Sequence, residues 1–362
     1  MRRPTLLFVT ALLLQGVGLP ALAQTQPSPG QQPAPVVVPA VPPTAPPAAP
    51  AQPAPAAPMS APVLMLTAKP GTYAEYTLTM QTGFKVSDMH LEAQPGKTVK
   101  PTDLAAENKK VQTQRSQLEH LMNKSAQTRR SKAFVRVLPP QNGNTVLLNS
   151  LVLSTPDPQN PQKQRVVNAR IIVSYDTSGK VVDVSASADD PQLDVFYKAM
   201  DLKTLVQTVQ TSGSTSLYGL PLVAGQPATS SITVPMQSVM SAMTALLGEQ
   251  SSAQASPLMM HVTTSYGGLN AAGQHTFTQT VGADAWKMVL NVRGSRMAMQ
   301  VSSLQGGGPS AVRQDGLLQN SQLTQNMNMQ LQFDLPGEPY RMVMGAQYTT
   351  TVNYALKTLT AP

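Results

Sequence analysis

Tyr76-Thr77-Leu78-Thr79-Met80 sets an apolar side chain at every second position, with threonine between. A repeat of two is the repeat of a strand, and β-branched threonine favours extended backbone, so the segment predicts a strand buried on one face. Similar stretches occupy residues 134–138, 145–153, 166–175, 180–186, 258–266, 275–281, 285–292, 297–304, 323–333 and 341–359. Turn signals fall between them: Asn142-Gly143, residues 176–179, Gly267-Gly268, Ala272-Gly273, Asp315-Gly316 and Pro336-Gly337. Gly306-Gly307-Gly308, followed by Pro309, reads as a further loop. Many strands at hairpin spacing predict a mainly β chain: an antiparallel meander forming a curved sheet or incomplete barrel, with a few helices packed on one face.

Three segments carry helical spacing instead. Asp103 is placed to cap a basic helix running to about Ser125, with Leu104, Val111, Leu118, Leu121 and Met122 as a narrow apolar stripe. Asp190 and Pro191 open a second, in which Val195, Ala199, Leu202, Val206 and Val209 share a face, with Gly213 beyond its end. Pro235 opens a third, striped by Met236, Val239, Met240, Met243, Leu246 and Leu247 and stopped by Gly248. The last two helices need a sheet to cover them.

Upstream of the strands the composition changes. Arg2 and Arg3 precede an apolar run, then Pro20 and Ala21-Leu22-Ala23, the layout of an export signal cut after Ala23. Residues 24–63 hold 14 of the 33 prolines and no charged or aromatic residue, so they form a tether that cannot bury a core. The expected organisation is a leader at 1–23, a linker at 24–63 and a β-rich domain at 64–362. Tyrosine-turn-glycine echoes at 174–179 and 265–273 raise two similar halves, 64–212 and 230–362. Export directs the protein to the periplasm or cell envelope. The chain has no cysteine, which removes disulfides, thiolate metal sites and lipidation at a lipobox.

The formal charge of +8 falls to +6 once Arg2 and Arg3 leave with the leader. Much of the excess lies between Lys97 and Lys132. Lys109, Lys110, Arg129, Arg130 and Lys132 are candidates for contact with an anionic membrane or wall surface, against the plainer reading of a solvated helix face. No aromatic residue interleaves these charges, which argues against nucleic acid.

Nineteen methionines against 4% aromatics are the other unusual feature. Met297/Met299, Met327/Met329 and Met342/Met344 are spaced to share a strand face. With Met236, Met240 and Met243 they are candidates to line an adaptable apolar surface for a lipid-like ligand. Two other readings stand beside it: a solidly packed core in a structural envelope module, and thioether sites for Cu(I). No metal site is assigned, because no histidine neighbours any pair. His261 and His275 are spaced to face each other across a hairpin, the one histidine pairing the sequence offers. Asp189 and Asp190 are best used at a helix start. Neither a G-x-S-x-G elbow nor H-E-x-x-H is present, so no catalytic residue is assigned, no cofactor is called for and an enzyme is not indicated. An outer-membrane barrel would carry aromatic girdles and a terminal aromatic strand; the chain ends Thr360-Ala361-Pro362. Oligomeric state is not legible.

Leu220-Pro221-Leu222-Val223-Ala224-Gly225-Gln226-Pro227 resembles a connection in uncharacterised bacterial secreted β proteins, where it precedes a second set of strands. Those proteins carry an aromatic soon after the glycine; here Ala228-Thr229-Ser230-Ser231 follows. The layout of residues 70–362 more distantly resembles the periplasmic lipoprotein- and lipid-carrier fold. That resemblance implies an incomplete barrel around an apolar cavity, and it carries over no functional residue.

Overall fold

The computed structural model describes residues 61–125, 128–156, 164–200, 202–203, 217–247, 250–292 and 294–362. The predicted leader, nearly all of the tether, Val206, Val209, Gly213 and Gly248 lie outside the described residues. Along the described chain run β1 (Tyr73–Ala93), α1 (Pro101–Ser125), β2 (Arg129–Gln141), β3 (Asn144–Pro156), β4 (Gln164–Tyr175), β5 (Val181–Ala188) and α2 (Pro191–Ala199). There follow β6 (Pro227–Val234), α3 (Met236–Leu247), β7 (Ser251–Ala255), β8 (Leu258–Leu269), β9 (His275–Ala283), β10 (Trp286–Val292), β11 (Ser295–Val312), β12 (Leu318–Asp334) and β13 (Tyr340–Thr360). The fold is mainly β, as the alternation requires. Every strand pairing among the described residues is antiparallel.

One thirteen-stranded sheet runs β5-β4-β3-β2-β1-β13-β12-β11-β9-β8-β6, with β10 and β7 branching off β11. It does not close into a barrel. The first and last strands, each 21 residues long, pair along nearly their whole length and join the N-terminal meander to the C-terminal one. The β2–β3 hairpin turns on Asn142 and Gly143, both at positive φ, as an Asn-Gly turn demands.

Beyond β11 the sheet forks. Residues from Ser295 to Val301 pair with β10, and those from Leu304 to Val312 pair with β9. Gly306-Gly307-Gly308 lies just past the fork, inside the strand and paired with β9, so the sequence reading of a loop is corrected. A Cβ on Gly306 would collide with Thr324 O, on Gly307 with Gln279 O and on Gly308 with Gln322 O. Glycine lets β11 run closely between β9 and β12 once it has changed partner. Gly267-Gly268 is likewise inside β8, at a bulge, and the turn is made by Asn270, whose Oδ1 accepts from Ala272 and Gln274 N–H at 3.0 Å each.

The helices also refine the sequence reading. α1 starts at Pro101, so Asp103 lies in its first turn, where a carboxylate still meets the helix dipole favourably. Asp190 caps α2, accepting from Leu193 N–H at 2.8 Å. The buried face of α2 is not that of Val195, which is 47% exposed, but that of Phe196 and Met200. Phe196 and Met200 pack on Val239 and Ala242 of α3, and the larger aromatic sets the helix's rotation.

Candidate functional site

Both arms of the fork fold over α3. β6 supplies Ile232 and Val234, β8 supplies Leu258, Met260 and Val262, and β10 supplies Trp286, Met288 and Leu290, all in one buried cluster with Met236, Met240 and Met243 of α3. The trunk of the sheet completes it in transverse rows, because residues in register on neighbouring strands share a face. One row reads Met288, Met299, Leu331, Met344, Met89 across five strands; the next reads Leu290, Met297, Phe333, Met342, Leu91. A third runs Trp286, Val301, Met329, Ala346, Val86. Leu304, Met327, Tyr348 and Phe84 extend the same face.

All nine candidate methionines therefore meet in one place. Met236, Met240, Met243, Met299, Met327 and Met344 are buried, and Met297, Met329 and Met342 are half-buried against the same cluster. α3 fills the concavity they line. Its polar anchoring is slight: Gln237 Nε2 donates to Ala253 O at 3.0 Å and Gln237 Oε1 accepts from Ala255 N–H at 2.9 Å, so one amide caps the outer edge of β7. Ser251 Oγ of β7 also donates to Thr244 O at 3.0 Å, and the rest is apolar packing by side chains of high conformational freedom.

The basic candidates do not form one patch. Period two separates Arg129 from Arg130: Arg129 pairs in register with Met80 and Arg130 with Thr79. Arg129 is half-buried, and burial draws its pKa down. Lys132 is ion-paired to Glu75 at 3.2 Å, and its ammonium holds the Glu75 carboxyl below the usual range. Lys110 pairs with Glu107 at 2.6 Å along α1, while Lys109 and Arg130 are exposed.

The histidine pair is not formed. His261 is in register with Gly282, and His275 with Leu269. His261 instead bonds Ser231 Oγ at 3.0 Å and Asp284 at 3.2 Å, and His275 bonds the Tyr266 hydroxyl at 3.1 Å. The hairpin turns later than Gly267, which moves the register. Asp189 accepts from Asn168 N–H at 2.7 Å and from its amide at 2.6 Å, and these bonds hold its carboxyl below the usual range. Both acids serve structure.

Sequence reasoning missed the role of α1. β2 covers β1 only from Tyr73 to Met80, leaving the edge beyond it without a strand. Side chains of α1 take that edge. Asn123 accepts from Phe84 N–H at 2.8 Å and donates to Phe84 O at 2.7 Å. Glu119 accepts from Val86 N–H at 3.1 Å, and Arg115 donates to Val86 O. Gln112 donates to Met89 O, and Asn108 brackets Leu91 N–H and O at 2.5 and 3.0 Å. Four helical residues rise about 6 Å and two strand residues about 6.6 Å, so the spacings match. The stripe 108, 112, 115, 119, 123 was visible, but polar residues on a helix read as a solvated face.

No protein-family model matches the chain, and a search of curated proteins finds no match. No helix among the described residues is long and apolar enough to cross a membrane.

Proposed function

We propose that this is a non-enzymatic protein of the cell envelope that holds an apolar or amphipathic, lipid-like ligand against the concave face of its sheet, in the place α3 occupies. The observation that carries the reading is the methionine-rich concavity, which is covered by one twelve-residue apolar helix tied to β7 by only two side chains, Gln237 and Ser251. A ligand chain would exchange with α3 rather than enter a standing void. Thioether side chains suit such an exchange, because they repack around either occupant at little cost. The export layout of residues 1–23 supports an envelope setting. Exposed Lys109 and Arg130, with Lys132, offer contact to an anionic membrane or wall surface, and binding to anionic vesicles that does not weaken with salt would contradict that contact.

The test is mass spectrometry of organic extracts of the purified protein, with titration of a fluorescent fatty acid. Co-purifying lipid and saturable binding are expected; clean extracts and no binding would overturn the reading. A second reading, a structural envelope module with no small ligand, is favoured by the observation that α3 fills the concavity, and that same negative result would support it.

A further inference from the structure

On the opposite face of the same strands, the geometry points to a saccharide-binding groove between β1 and β11, built to take a hydroxyl-rich sugar segment bearing one anionic group. The groove has a volume of about 460 Å³ and is lined by Lys85, Ser87, Gln300, Ser302, Asn328, Met329, Gln330, Ala346 and Gln347. That size lies within the range of about 300–1,000 Å³ typical of small-molecule sites.

Two irregularities shape it, one on either side of a single row of the sheet. Val86, Ala346, Met329 and Val301 are a single row, and the two outer strands bulge next to it on opposite sides, β1 at Ser87 toward Gly345 and Gln330, β11 at Ser302 toward Asn328 and Gln347. A bulge re-aims a side chain that regular pairing would direct elsewhere, and bulges gather beside functional sites. Here the two extra residues are both serines, both lining the groove. Across from Ser87 stands Gly345, where an added Cβ would lie 2.7 Å from Ser87 Oγ. Glycine at 345 thus opens the floor that the Ser87 hydroxyl overhangs.

The lining is oriented yet largely unspent. Ser302 Oγ donates to Asn328 O at 3.2 Å, Asn328 Nδ2 donates to Ser303 Oγ at 2.9 Å, and Gln332 Nε2 donates to Gln330 Oε1 at 3.4 Å. Among the described residues, the side chains of Lys85, Ser87, Gln300 and Gln347 make no hydrogen bond or ion pair within the protein. Outward positions of β12 from Asn320 to Gln332 read Asn, Gln, Thr, Asn, Asn, Gln, Gln without a charge. Side-chain amides and hydroxyls both donate and accept, which is what sugar hydroxyls need. Lys85 is the sole cation in the lining and selects one carboxylate or similar group. A nucleotide would need aromatic stacking or a cluster of cations, and a peptide strand would add at a sheet edge, whereas this groove crosses strand faces.

The test is calorimetric titration of the full chain with trigalacturonate and, separately, with neutral maltotriose. Trigalacturonate is expected to bind at millimolar Kd or better and more tightly than maltotriose. Gln347→Leu should weaken it about three- to tenfold, the worth of one or two lost hydrogen bonds. Lys85→Gln should bring the acidic sugar down to the neutral one. Circular dichroism and Tm confirm that both variants fold. Absence of heat with trigalacturonate, equal binding of the two sugars, or undiminished binding in either folded variant would each overturn the inference. Met329 and Ala346 contribute to both the groove floor and the methionine cluster, but Lys85 and Gln347 are exposed and belong to the groove alone, so failure of their variants leaves the fatty-acid reading standing.

Discussion

Asn108 and Asn123 each give the β1 edge two hydrogen bonds, so each replaces the contacts a missing strand residue would have made. Asn108→Leu leaves Leu91 N–H and O without partners and is expected to cost about 1–3 kcal/mol. Hydrogen exchange checks it: the Leu91 amide should exchange faster while that of Val173, distant in the N-terminal core, stays protected. Gly308→Ala sets a Cβ against Gln322 O and should prevent a soluble fold, whereas Gly143→Ala, with open space around it and only a positive φ to strain, should fold with a modest loss of stability. Of these residues, Gly143 was legible as a turn. Gly308 was not, because a glycine run marks a loop and a crowded fork equally well in sequence.

His90 adds a pH dependence at the same scale. Burial pushes its pKa down, but hydrogen bonds to Glu92 at 3.2 Å and Asp88 at 2.7 Å outweigh burial and raise it on balance. A raised histidine pKa contributes stability that is fully present below the unfolded value and fades as pH rises through the folded one. His90→Gln should therefore lower Tm more at mildly acidic than at mildly alkaline pH. An equal shift at both would show that the two carboxylates do not stabilise the imidazolium. The effect is small, since all three side chains are more than a third exposed.

Among the elements, α3 and α1 are held by opposite means. α3 rests on apolar contact, and its stripe of Met236, Val239, Met240 and Met243 was legible because burial and helical period coincide. Met240→Ala, at a residue 1% exposed, should cost about 2–5 kcal/mol. Met240→Leu with Met243→Leu keeps volume, so Tm should change little while fatty-acid binding weakens as branched side chains resist repacking. Unchanged binding would assign these methionines to packing alone. α1 has little apolar face, so its period announced a helix without saying what it touches. It is a substitute strand made of side chains, and removing it should expose the edge from Gln81 to Ala93 and drive the protein to associate. The face of α2 misled for a different reason: Val195 fitted the valine repeat, but Phe196 had the larger area to bury.

At the scale of the molecule, the meander and its antiparallel sense follow from alternation and turn chemistry, both local. The order of strands is not local. That β1 lies beside β13, that β11 changes partner halfway and that three methionine pairs on three strands converge with α3 are settled by which faces bury the most apolar area together. The first and last of the described strands join the trunk of the sheet, so truncation before Tyr340 should leave β1 and β12 without their common neighbour and abolish cooperative unfolding.

The absence of native cysteine makes α3 directly testable with one introduced pair, Gln237→Cys and Ala253→Cys, placed where Gln237 now bonds Ala253 O, with closure of the cross-link on oxidation verified by loss of free thiol. Fluorescent fatty-acid binding is measured before and after oxidation of this variant. Saturable binding in the reduced protein and its loss on oxidation are expected; equal binding in both states, or none in either, would contradict a ligand that takes the place of α3.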